Sequence, residues 1–171
     1  VELGLAKGKV TKDKAIQDLE SARYSWRGDD LEFRVLKMLG RLYLDTGEYR
    51  KGLETLRTAA IHFSGHKDAG SVTREMSEAF AELFRDGAFE RMPIVAAIAL
   101  YNDFGELTPA GAGGEAVMAK LVDRLAAVDL LDQAAVLLER QLGHLSAGED
   151  RARIATQLAE LRLNDQKSQA A

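Results

Sequence analysis

The chain has 171 residues, of which 46% are hydrophobic and only two are proline, and its 23 basic and 27 acidic residues leave a formal charge of −4. That is enough apolar material for one core, expected here as a single domain over 1–171, and the scarcity of proline and aromatics favours helices over sheets. The mixed, slightly acidic balance argues against nucleic acid as a partner, which selects a basic face.

There is no cysteine, hence no disulfide framework and no thiolate metal site. No apolar run approaches the ~20 residues that cross a bilayer, so no membrane insertion is expected within this segment. No targeting segment is visible, which leaves cytoplasm and periplasm equally open. The first residue is Val1 and the opening reads as helical, which suggests a piece of a longer array.

Apolar periodicity predicts eight helices, near 12–24, 31–46, 49–63, 70–86, 91–103, 114–128, 131–143 and 149–164. Gly47 is placed to take the left-handed turn between the second and third. Pro93 suits the first turn of the fifth. The stretch from Glu106 to Gly114, with Pro109 and three glycines, reads as a loop, and 164–171 as a frayed polar tail.

The second and third helices carry Leu36-x2-Leu39-Gly40-x2-Tyr43 and Gly52-x3-Leu56 followed by Ala59. Gly40 and Gly52 are small where two helices of a hairpin would approach, with Leu39, Tyr43 and Leu56 filling the space around them. The same anchors recur along the chain. Gly52-x3-Leu56 returns as Ala15-x3-Leu19, Ala97-x3-Tyr101 and Ala134-x3-Leu138, and Leu39-Gly40 returns as Met76-Ser77, Leu121-Val122 and Leu158-Ala159. Both series step by 37, 45 and 37 residues. Eight extra residues fall between Met76 and Ala97, which predicts a longer first helix or a longer turn in that hairpin. After Leu158 the chain stops where a further second helix would start, so the array is expected to be cut there too.

The segment from Leu36 to Ala60 resembles the tetratricopeptide (TPR) family, although Leu36 stands at the family's Trp and Ser64 at its closing Pro. Trp26-Arg-Gly28-Asp and Val128-Asp-Leu-Leu-Asp-Gln-Ala134 are similar to the TPR-containing regions of large uncharacterised alphaproteobacterial proteins, a likeness that implies no activity. The TPR resemblance implies an all-α, right-handed superhelix of antiparallel hairpins. It also implies a non-catalytic scaffold for protein–protein interaction, with a groove lined by the first helix of each pair. Its candidate groove residues are Arg34, Lys37 and Arg41, followed by Arg74, Glu78 and Glu82, with Asp45, Asp123 and Glu160 beyond. The groove would run from basic to acidic and suit an acidic segment of a protein or peptide. The plainer reading is a solvated face held by pairs such as Arg74 and Glu78.

A clamp for a partner's terminal carboxylates is disfavoured, because Arg41, Ser71 and Glu75 replace the amide and basic groups it needs. His62, His66 and Asp68 invite a metal reading but have no further His or Cys to close a site, and His144 stands alone. Gly111-Ala-Gly113-Gly114 is followed by Glu115, which would repel a phosphate. Asp29-Asp30 and Glu149-Asp150 sit at helix starts, where acids complement the dipole. No catalytic signature is present, so neither an enzyme nor a cofactor is expected. Trp26, near Tyr24, reads as local core or a contact surface, with Tyr101 and Phe104 as further aromatics. Leu3, Leu5, Ala15, Leu19, Leu158 and Leu161 mark candidate apolar ends, through which the array could self-associate. Two rivals remain: a ligand-sensing or enzyme-linked domain with a pocket near 85–93, and a spacer in a longer solenoid.

Overall fold

The computed structural model describes residues 10–25, 28, 30–108, 111–144 and 148–169. Within helices, the side chains of 24, 25, 112, 144, 149 and 164–169 also lie outside the described set. The readings placed on Leu3, Leu5, Tyr24, Trp26, Asp29, Pro109, Ala171 and the side chains of His144 and Glu149 therefore fall outside it.

The described chain is all-helical: α1 (Lys12–Ser25), α2 (Asp30–Asp45), α3 (Tyr49–His62), α4 (Ala69–Arg85), α5 (Ala88–Arg91), α6 (Ile94–Phe104), α7 (Ala112–Ala127), α8 (Leu131–His144) and α9 (Glu149–Gln169), with a 3-10 turn over Gly105–Leu107 after α6. Eight match the predicted helices; α5 is additional. It lies in the eight-residue insertion, and α4 runs on to Arg85, further past its Met76 anchor than α2 runs past Leu39, so the hairpin gains both a longer first helix and a longer, helical turn. Pro93 precedes α6, and its carbonyl accepts the first helical bond, from Ala97 N–H at 3.0 Å. Its missing N–H costs nothing there. The backbone of 164–169 is helical where a frayed tail was expected.

Most of the predicted anchors are core, while Ser77 and Tyr101 are half-buried and Ala159 is exposed. Ala15, Leu39, Leu56, Ala97, Leu121 and Ala134 are fully buried or nearly so, as are Leu19, Met76, Val122, Leu138 and Leu158. In the hairpin α2–α3 the two glycines face each other. A Cβ on Gly40 would lie 2.6 Å from Leu56 Cγ and 3.1 Å from the Gly52 carbonyl oxygen, and one on Gly52 would lie 2.7 Å from Leu44 Cγ. Leu44 therefore shares with Leu56 the filling role expected of Leu39 and Tyr43.

Two hairpins turn in the same way. After α2, Gly47 adopts φ +83°, Glu48 N–H donates to Tyr43 O at 2.8 Å, and Gly47 N–H donates to Leu44 O at 3.1 Å. After α7, Asp129 adopts φ +61°, Leu130 N–H donates to Leu125 O at 2.9 Å, and Asp129 N–H donates to Ala126 O at 3.1 Å. Both are left-handed caps closing the same two carbonyls. Asp129 stands at the register position of Gly47, where an aspartate is tolerated at some strain.

Contacts divide the chain, expected as one domain, into two compact units: 1–88 with 100–107, and 89–99 with 108–171. In the first, α1 lays Ala15 and Leu19 against Val35, Leu39, Leu42 and Tyr43 of α2. These two residues are therefore not an exposed array end. Leu158 and Leu161 are likewise buried in the second unit, on α9. In the second unit the exposed large apolar groups include Val136, at 47%, and Leu163, at 57%.

Candidate functional site

The predicted groove residues project from α2 and α4. Arg34 is exposed, with Nη1 4.0 Å from Asp30 Oδ2 one turn earlier. Lys37 is half-buried and donates from Nζ to Ser71 Oγ at 3.1 Å. Arg41 grips Glu75 with two bonds, Nη2 to Oε2 at 2.7 Å and Nε to Oε1. Lys37 and Arg41 thus reach across to α4, each to a residue 34 positions on. This places the two first helices side by side, which the periodicity implied but which no local feature of the sequence showed.

Arg74 and Glu78 are exposed on α4, yet no ion pair joins them within the distance seen elsewhere. Glu82 pairs with Arg85 at 3.6 Å, and Asp45 with Lys12 at 3.3 Å. Asp123 and Glu160 are exposed in the second unit. The basic half of the face is therefore largely compensated by Asp30 and Glu75. The carboxylate partner of Arg41 was read in the sequence only as a departure from a clamp. The pairing could have been found by asking which residue on the next first helix lies one repeat step away, less one turn.

At one end of this face lies a small polar cluster. The His66 ring stacks on buried Phe33 with centroids 4.0 Å apart, and Nε2 is 2.8 Å from Asp30 Oδ1. The backbone N–H of Asp68 donates to His66 Nδ1 at 3.1 Å, so in the neutral ring Nε2 carries the proton and donates to Asp30. That hydrogen bond holds the Asp30 carboxyl below the usual carboxylate range. Nε2 thus ties the loop after α3 to the start of α2, while Nδ1 closes a turn within that loop. His62 occupies the last residue of α3 and is exposed.

The insertion where a pocket was weighed is filled. Phe89 of α5 is 0% exposed, and the Arg124 guanidinium lies 5.2 Å from its ring. Arg124 donates to the carbonyls of Met92, at 2.6 Å, and of Phe89. Lys120 pairs with Glu90 at 2.6 Å and holds that carboxyl below its usual range. Among the described residues no helix is long and apolar enough to cross a membrane. The chain matches no family model, no curated protein and no solved structure.

Proposed function

We propose that the chain is a non-catalytic helical-repeat scaffold of the tetratricopeptide kind, a right-handed succession of hairpins that binds a protein or peptide along the face of its first helices. The observation that carries this reading is register. Most anchors counted from Leu39-Gly40 are buried in both units, with Ala159 exposed, and the hairpins α2–α3 and α7–α8 share one turn geometry. The compensation of Arg41 by Glu75 and the filling of the insertion by Phe89 and Arg124 favour an open face over an enclosed ligand site.

The groove's accessible cations are then Arg34 and Arg74, both exposed. Selection of peptides against the chain should enrich acidic sequences. Arg34→Glu with Arg74→Glu should weaken the selected peptides at least about tenfold, the ~1.4 kcal/mol that one or two charge-assisted contacts supply. Equal binding by wild type and double variant would reject the face. Arg41→Glu is a poor probe, because it sets a second carboxylate beside Glu75 and perturbs the packing of α2 on α4.

A further inference from the structure

The α2–α4 face of the first unit carries charge of both signs, and its hydrogen bonds divide it into three zones. Lys37 reaches Ser71 and Arg41 reaches Glu75, so the two rungs step in the same direction along both helices, and α2 and α4 run parallel. The middle zone is neutral, because the Arg41 fork holds both oxygens of Glu75. In the first halves of the helices lie Arg34, Lys37 and Arg74. Toward the end of α4 lie Glu78 and Glu82, on the same side of the helix as Ser71 and Glu75, since the four recur every three or four residues.

The outer zones are weakly compensated. Lys37 is half-buried, and among the described residues its polar partner is a neutral hydroxyl, Ser71 Oγ at 3.1 Å. The fork on Glu75 keeps that carboxylate from Lys37 one turn back. Arg74 and Glu78 are four residues apart on α4, a spacing at which opposite charges ordinarily join. Neither side chain makes a hydrogen bond or ion pair among the described residues. Arg34 lies 4.0 Å from Asp30, and Glu82 3.6 Å from Arg85, with all four side chains more than 60% exposed. Such pairs yield readily to a competing charge.

The rungs also decide the shape of the occupant. They tie α2 to α4 side chain to side chain at two levels, so no channel about 10 Å wide, the diameter of a helix, opens between them. An extended segment laid over the rungs fits.

Resting on the scaffold reading, we infer that this face binds an extended segment of a partner that is itself bipolar, with acidic residues over Arg34, Lys37 and Arg74 and basic residues over Glu78 and Glu82. Arg74 and Glu82 are eight positions apart, about 12 Å of helix. An extended chain covers that distance in about four residues. A segment acidic throughout meets the two glutamates with repulsion, so they are the specificity-determining residues of the face.

The test uses the full chain at low ionic strength and labelled synthetic peptides read by fluorescence anisotropy. One carries two aspartates, three Gly or Ser residues and two lysines, made in both orders, and a twin has aspartate at all four charged places. The bipolar peptide, in one of its orders, should bind at least about fivefold tighter than the twin. Glu78→Lys with Glu82→Lys, checked for unchanged helicity, should weaken the bipolar peptide and tighten the acidic twin, reversing the preference. Arg34→Glu with Arg74→Glu should weaken both. An acidic twin that binds as tightly as the bipolar peptide, and is lost in the arginine double variant, overturns the inference and leaves the scaffold face standing. Binding that neither double variant alters rejects the face and the inference together. No binding of the bipolar peptide in either order overturns the inference, whatever acidic peptides selected against the chain do.

Discussion

At the scale of single residues, the hairpin α2–α3 rests on two missing side chains. Leu56 is fully buried and cannot swing away from a Cβ at Gly40, and a backbone oxygen closes the other side. Overpacking of this kind costs about 1–3 kcal/mol, against roughly 1 kcal/mol that alanine returns in helix propensity. Gly40→Ala should therefore lower stability to urea by about 1 kcal/mol. Gly70→Ala, in α4 with open space around it, should raise stability by a similar amount. Asp129→Gly should stabilise by up to about 1 kcal/mol, because glycine removes the left-handed penalty that Gly47 never incurs. Tyr43 makes a pH-dependent contribution. Burial, then its 2.7 Å hydrogen bond to Glu20, pushes the phenol up from 10.0 to about 12. A folded value above the unfolded one means that the stabilisation is complete below pH 10 and is lost as pH rises through 12. Stability measured by urea titration should fall over that window in the wild type and much less in Tyr43→Phe; identical slopes would contradict the assignment.

At the scale of elements, the helices were legible because punctuation and period agree. Gly47, Pro93 and the glycines after Pro109 bound segments whose apolar residues recur every three or four, and the helix ends fall within a few residues of expectation. Helix α5 was not legible, since four residues hold no period, and its stability comes from outside itself. Arg124 supplies it by holding the carbonyls at the end of α5 while covering Phe89. Bonds from a guanidinium to backbone leave no trace in side-chain spacing. Arg124→Ala should cost about 2 kcal/mol and speed amide exchange across Ala88–Arg91. Arg124→Lys should recover little, because an ammonium cannot span both carbonyls with the planar fork. The groove charges were legible as residues, but their compensation by Ser71 and Glu75 was not, because those partners belong to the next first helix.

At the scale of the molecule, the repeat register organises both the fold and the proposed binding face, and it predicts neighbours that the hydrogen bonds have not already displayed. In the first unit, Arg41 meets Glu75 across adjacent first helices. The same offsets from the anchors Leu121 and Leu158 place Asp123 of α7 opposite Gln157 of α9 in the second unit. The chain has no cysteine, so thiol pairs can be introduced without background. A short bis-maleimide applied to the double variants Arg41→Cys/Glu75→Cys and Asp123→Cys/Gln157→Cys is the most direct test of that register. Efficient intramolecular cross-linking of both pairs is the predicted result, and cross-linking at 41–75 with none at 123–157 would contradict it.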